Sequence, residues 1–268
     1  MKTKYTLLVV MSWLFSASLF AQASNESVVV SLGGGTSSAG IYSNFAVVGE
    51  PFVASPVSGS NISTNVGFIY RTADIQATVV NLTLFLEGLY GSAGVMSKAQ
   101  NAAGNQYSGS IADKITFELH NALNYAVTAY SNTNVDINTN GTASLSVPSN
   151  VQGSYYITVK HRNSLQTTSA SPISISGSPI SYNFSTAQSQ AYGNRLKPLG
   201  EGIFGLYAGD VDGNGLINLT DINTITGVAT SFGTGYIATD VNGDGTVDAF
   251  DLILTDNNAA LGVSSSTP

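Results

Sequence analysis

Two twelve-residue stretches carry side chains whose types and spacing could do chemistry: Asp210–Asp221, DVDGNGLINLTD, and Asp240–Asp251, DVNGDGTVDAFD. In the first, Asp210, Asp212, Asn214, Asn218 and Asp221 place side-chain oxygens at loop positions 1, 3, 5, 9 and 12. Asp240, Asn242, Asp244, Asp248 and Asp251 occupy the same positions in the second. Position 7, Leu216 or Thr246, would offer only its backbone carbonyl, which leaves its side chain free to vary. Position 6 is Gly215 or Gly245, where the chain must turn sharply. An all-oxygen set of this size suits a hard divalent cation that takes about six to eight ligands at about 2.3–2.6 Å. Asp-Gly and Asn-Gly dipeptides also mark ordinary turns. Turn preference alone is a poor account of two runs in one register that start 30 residues apart.

This spacing is that of an EF-hand calcium loop. It predicts two calcium ions, one held by Asp210, Asp212, Asn214, Leu216, Asn218 and Asp221. The other would be held by Asp240, Asn242, Asp244, Thr246, Asp248 and Asp251. Position 12 is aspartate in both loops, where sensor EF-hands carry a bidentate glutamate. A short helix-like run follows each loop, DINTITGVA and DLILTDNNAAL, and a carboxylate in its first turn sits favourably near the helix N-terminus. No comparable helix precedes either loop, because Gly200–Gly209 and Phe232–Tyr236 are glycine-rich. A duplicated loop–helix unit with aspartate at position 12 resembles a type I dockerin over roughly Tyr207–Val263. The resemblance implies docking onto a cohesin-like extracellular partner, often in polysaccharide degradation. Many dockerins carry a Ser-Thr pair at positions 10 and 11. Leu219-Thr220 and Ala249-Phe250 stand there in this chain, and no lysine or arginine follows Lys197.

The remaining elements must position these loops. The expected fold class is mainly β: an antiparallel β-sandwich followed by a small α-helical dockerin-like module with two calcium loops. Ala77–Phe85 alternates, and Ile115, Phe117 and Leu119 share one face of a strand whose other face carries Thr116, Glu118 and His120. Tyr125–Tyr130, Thr142–Val147, Tyr155–Lys160 and Ile173–Ser176 follow between turn signals, as in a sandwich. The stretch GSYYITVKHRNSLQTTSASPISI is similar to β-sandwich modules that precede dockerin-like tails in secreted bacterial proteins. The domain order is then 1–23 signal peptide, 24–74 glycine-rich β segment, 75–187 sandwich, 188–206 connector, 207–263 calcium module and 264–268 polar tail. In the connector, Ile203, Phe204 and Leu206 could pack the module onto the sandwich. Within the module, Leu216, Ile217, Leu219, Ile222, Ile225, Val228, Val241, Val247, Phe250, Leu252, Ile253 and Leu254 are the expected core.

Composition bounds the function. Charged residues make up 9 % of the 268, well below the usual quarter or so, while hydrophobic residues reach 43 %. That hydrophobicity argues against disorder. The net charge is −7, and eight of the sixteen acidic residues lie between Asp210 and Asp256. A basic nucleic-acid footprint is absent from this sequence. Lys2 and Lys4 precede an apolar run, Tyr5–Phe20, and Ala21-Gln22-Ala23 ends it, the pattern of a secretory signal cleaved after Ala21 or Ala23. A retained N-terminal anchor is the alternative, and no second apolar stretch could span a bilayer. Without cysteine no disulfide can form, so an exported protein must rely on its core and its metals. Val28–Arg71 reads as short strands, similar to a glycine-rich N-terminal repeat of secreted bacterial surface proteins. The Gly33-Gly34-Gly35 run lacks the Gly-Lys-Ser/Thr of a phosphate loop.

Catalytic patterns are weak. No pair of carboxylates is announced for glycoside hydrolysis, no G-x-S-x-G elbow occurs, and two histidines without thiols do not form a zinc-ligand pattern. Glu118 with His120, and His161 with Arg162, read as solvated polar faces. Tyr155, Tyr156, Tyr182 and Tyr192 are candidate glycan platforms, although Tyr155 and Tyr156 must point to opposite faces. The expected function is therefore a secreted, calcium-binding, non-catalytic protein of extracellular attachment or assembly. An accessory component of polysaccharide degradation is the alternative, cohesin-docked, carbohydrate-binding or associated with a glycoside hydrolase.

Overall fold

A computed structural model describes residues 76–268 throughout and, within residues 1–75, four strands of backbone. The signal segment Met1–Ala23 lies outside the described residues. The chain divides into two units, Met1–Ile75 and Gln76–Pro268. In the first, β1 (Gly35–Ala39) pairs antiparallel with β2 (Tyr42–Ala46), and β3 (Ile62–Asn65) with β4 (Phe68–Arg71). These strands fall within Val28–Arg71, the stretch expected to hold short strands, although β1 begins at Gly35, in the glycine run.

The second unit is built on two facing sheets. It begins with β5 (Thr78–Thr83), followed by the small hairpins β6 (Tyr90–Ser92) with β7 (Val95–Met96) and β8 (Gln100–Asn101) with β9 (Gly104–Asn105). The long strands β10 (Ile111–Asn121) and β11 (Asn124–Asn138) come next, then β12 (Thr142–Val147) and β13 (Gly153–Lys160). Short strands β14 (Thr167–Thr168), β15 (Ile173–Ile175) and β16 (Ile180–Asn183) complete the sandwich. One sheet runs β11-β10-β13-β14, with β15 also on β13, and the other runs β12-β5-β16. Every pair is antiparallel except β16 on β5.

Period-two alternation is what closes the sheets on each other. Ile115, Phe117 and Leu119 of β10, Ile157 and Val159 of β13, Val80 and Leu82 of β5, and Val147 of β12 form one buried cluster. Each such large side chain contributes about 1.5–3 kcal/mol on burial. β11 extends to Asn138, well past the expected Tyr130, because its partner β10 continues to offer backbone groups as far as Ile111. Local propensity in the polar run SNTNVDIN does not announce this pairing.

Residues 188–206 do more than connect. They form 3-10 turns and a hairpin, β17 (Lys197–Gly200) with β18 (Ile203–Gly205). Leu196 and Leu206 are fully buried in the sandwich core, and Ile203 and Phe204 pack on it. The chain then runs along the sandwich: Leu206 N–H donates to Phe85 O at 2.8 Å, and Leu165 N–H donates to Tyr207 O at 2.8 Å.

Two helices follow, α1 (Leu219–Ala229) and α2 (Ala249–Ala260), each opened by a capping box. Asn218 and Asp221 cap α1 reciprocally, and Asp248 and Asp251 do so for α2, which satisfies amide groups that a helix start leaves free. A small core of Ala208, Ile225, Val241 and Val247 lies between them. Ile217 joins Leu165, Tyr207 and Val263. Four residues expected in the module core are instead exposed: Leu216, Leu219, Phe250 and Ile253, the last three by 54–66 %. Leu219, Phe250 and Ile253 lie on exposed helix faces and Leu216 in the first loop, and the apolar count alone cannot distinguish exposed from buried positions. The C-terminal residues are also not a free tail, since Ser265 N–H donates to Gly215 O at 2.8 Å.

Candidate metal centre

Both loops adopt one hydrogen-bond pattern. At position 12, Asp221 Oδ1 accepts from the amides of Val211 at 3.0 Å and Asp212 at 3.4 Å, and its Oδ2 accepts from Asn218 N–H at 2.9 Å. Asp251 repeats this with Val241 at 2.7 Å, Asn242 at 2.9 Å and Asp248 at 2.9 Å. At position 1, Asp210 Oδ2 accepts from Gly215 N–H at 3.0 Å, and Asp240 Oδ2 from Gly245 N–H at 3.2 Å. Positions 3 and 5 cap the amides two residues ahead in both loops. Gly215 and Gly245 have φ of +83° and +86°, a conformation that costs other residues strain.

The carboxylates of Asp210, Asp212 and Asp221 each bring an oxygen within 4.8 Å of the others. Asp210 and Asp240 are 3 % and 0 % exposed, yet the remaining oxygen of each, Oδ1, is buried without a hydrogen-bond partner. An unpaired buried carboxylate oxygen is costly. Here it occurs twice, at the same position of two matching loops. Burial pushes Asp210 up to about 6, opposed by Gly215 N–H and reinforced by the charges of Asp221 and Asp212. Burial also pushes Asp240 up to about 6, although the Arg162 guanidinium pulls it down. The chemistry of this donor set, oxygen-only and net negative, fits a hard cation.

Polar residues of the sandwich reach the module in two places. The fully buried Asp113 accepts from His161 Nε2 at 3.0 Å, lies 3.4 Å from Arg162 Nε, and accepts from the Tyr236 hydroxyl. Arg162 Nη1 donates to Ile237 O and to Asp240 O, the latter at 2.6 Å, while Asn163 Nδ2 donates to Asp240 O at 2.8 Å. Burial alone would raise the Asp113 carboxyl, but hydrogen bonding and charge from His161, with Arg162 and Tyr236, hold it at about 2. On the other side, Glu87 Oε2 accepts from Ala208 N–H at 2.9 Å and Asn258 Nδ2 at 2.7 Å, and its Oε1 pairs with Lys197 at 3.2 Å.

The expectation of a solvated face at His161-Arg162 is therefore corrected. The His161 side chain is 2 % exposed and Arg162 13 %, because the β13–β14 turn is covered by the second loop. His120 is likewise buried, stacked on Tyr125 with centroids 4.3 Å apart, and it pairs with Glu118 at 3.0 Å. The one advance signal was compositional: three consecutive polar residues, His161-Arg162-Asn163, in a chain with only 9 lysines and arginines.

Of the described carboxylates outside the loops, all but the exposed Asp256 of α2 are held by partners. Asp113, Glu118 and Glu87 are engaged as above or with Lys160, Asp136 pairs with Lys114 at 2.6 Å, and Glu201 accepts from Ala93 N–H. Among the proposed glycan platforms, Tyr155 is buried, and the Tyr182 hydroxyl donates to Gln190 O. Tyr156 meets Tyr125 and Tyr192 edge-on, so these rings do not make a flat strip. Among the described residues no helix is long and apolar enough to cross a membrane.

Fold and site together define a mainly β protein whose sandwich carries two acidic, helix-capped turn loops. No family model matches the chain, and no curated protein matches it. Among the solved structures to which it is similar are two cohesin–dockerin complexes. One is a C-terminal interface mutant of a type II Cohesin-X-Dockerin complex from Acetivibrio cellulolyticus, at 16 % identity and a TM-score of 0.38, covering 68 % of this chain and 94 % of that one. An N-terminal interface mutant of the same type of complex, from the same organism, is 17 % identical with a TM-score of 0.35 and the same coverage, 68 % and 94 %.

Proposed function

We propose that this is a secreted, calcium-binding, non-catalytic protein of extracellular attachment or assembly. The observation that carries the calcium reading is the twin orphaned oxygens, Asp210 Oδ1 and Asp240 Oδ1, each buried at position 1 of its loop, with the Asp212 and Asp221 carboxylates converging on Asp210 in the first. Asp210, Asp212, Asn214, Asn218 and Asp221, with the Leu216 carbonyl, would hold one ion. Asp240, Asn242, Asp244, Asp248 and Asp251, with the Thr246 carbonyl, would hold the second. Calcium supplies charge neutralisation and cross-links each loop to the helix that its position-12 aspartate opens. The resemblance to type I dockerins supports attachment through a cohesin-like protein partner. The exposed Leu219, Phe250 and Ile253 on α1 and α2 offer apolar contact for it. Engagement of Glu87, Asp113, Glu118, Asp136 and Glu201 by structural partners supports the non-catalytic reading.

Titration calorimetry on the mature protein should find two calcium ions. Capture of a purified cohesin should require calcium and weaken on Phe250→Asp. No heat at millimolar calcium defeats the metal reading, whereas two bound ions with no cohesin capture leave a calcium protein and defeat the docking reading.

A further inference from the structure

The two loops share one ligand pattern, but their surroundings differ. Within Asp210–Asp221, no Lys, Arg or His among the described residues makes a hydrogen bond. Its backbone hydrogen bonds to distant residues are with the C-terminal segment, Ser265 N–H to Gly215 O and Ile217 N–H to Val263 O, and the sandwich meets it through apolar packing of Leu165 on Ile217. The second loop is instead pressed onto the sandwich. Arg162 and Asn163 both donate to the Asp240 carbonyl, and Gln100 N–H donates to Gly243 O at 2.8 Å. A Cβ on Gly88 would come within 2.0 Å of Val241 O. The backbone of the sandwich is thus in direct contact with the loop, and any side chain at residue 88 would separate them.

We infer that the sandwich completes the second calcium site, with Arg162 and Asn163 as positioning residues that hold Asp240 at loop position 1. This inference rests on the calcium reading proposed above. Two side-chain donors on one carbonyl fix the peptide that follows Asp240 and limit where its carboxylate can point. The opposing effect is electrostatic, because a bare guanidinium beside a divalent cation would repel it. Asp113 offsets that charge. It is fully buried, lies against Arg162 Nε, and is anchored by His161 and Tyr236. With the charge paired by Asp113, the hydrogen bonds of Arg162 to Ile237 O and Asp240 O give the loop its geometry. By linkage, a cation that binds this loop only in its held form must also stabilise the sandwich contacts that hold it.

The test is a calcium titration of the full chain in two backgrounds. Asp212→Ala disables the first loop, so the remaining heat reports the second, and Asp244→Ala isolates the first. Adding Arg162→Met should weaken the second loop about tenfold or more and change the first by less than twofold. Asn163→Ala removes one donor and keeps the ion pair, so it tests the same point with less risk to folding, and it should weaken only the second loop, by a few-fold. Asp113→Asn leaves the guanidinium unpaired and should weaken the second loop as well. As a readout independent of binding heat, the rise in Tm on adding calcium should shrink in Asn163→Ala in the Asp212→Ala background. If Asn163→Ala and Arg162→Met both leave the second loop within twofold, or tighten it, the positioning role is wrong while the calcium reading stands. A wild-type chain that binds no calcium defeats the calcium reading itself.

Discussion

Removing calcium should make this protein less stable as pH rises from about 4 to 7, the reverse of the usual carboxylate behaviour. Asp210 and Asp240 are 3 % and 0 % exposed, and each is raised from an ordinary 3.8 to about 6, first of all by burial. In the unfolded chain both ionise near 3.8, while in the calcium-free fold they hold their protons to about 6. Below the lower value the two states bind the same protons and no penalty arises. Between the two values the unfolded state binds fewer protons, so stability falls with pH, and the full penalty is reached above the upper value. A difference of this size is worth about 3 kcal/mol per group, hence up to about 6 kcal/mol for the two. That is comparable with the whole stability of many domains. The assay is urea unfolding of calcium-depleted protein in steps across this window, followed by circular dichroism, beside the same series in saturating calcium. With calcium bound the carboxylates are ionised and protons compete with the cation, so that series should instead gain stability with pH. Calcium-depleted protein whose stability is flat or rising over the window would refute the buried, unpaired placement of these two oxygens.

Further outcomes follow from the contacts that join the loops to the sandwich. Glu87→Ala removes the Lys197 partner and the acceptor for Ala208 N–H and Asn258. Losing a half-buried acceptor of this kind costs about 1–3 kcal/mol, and an unchanged urea midpoint would show that Glu87 is better solvated than its contacts indicate. Gly88→Ala forces a methyl against Val241 O, an overpacking expected to cost about 1–3 kcal/mol. An unchanged Tm would contradict that close approach. Asp113, lowered from 3.8 to about 2, contributes stability that is present above the unfolded value and lost as pH falls through the folded one, about 2 kcal/mol in all. Asp113→Asn should abolish this acid limb in urea titrations between about pH 4 and 2, and a wild-type curve flat over that range would place the carboxylate outside the network.

What the sequence by itself determined is local. Carboxylates and amides at loop positions 1, 3, 5, 9 and 12, with glycine at 6, dictate turns whose side chains cap the backbone a few residues away. The hydrogen bonds of Asp221 and Asp251 close inside their own loops. Alternation was legible for the same reason. Ile115, Phe117 and Leu119 share a strand face whatever lies opposite, and the sandwich follows from several such faces needing cover. Tertiary structure alone decided what covers each face. It buried His161 and Arg162 under the second loop, drew Leu196 and Leu206 into the sandwich core, and left Leu219, Phe250 and Ile253 outside the module core. Asp113 and Tyr236 stand 123 residues apart in the chain. No periodicity links them, because a contact between distant segments depends on how the sheets and helices pack, and that packing is a property of the whole unit.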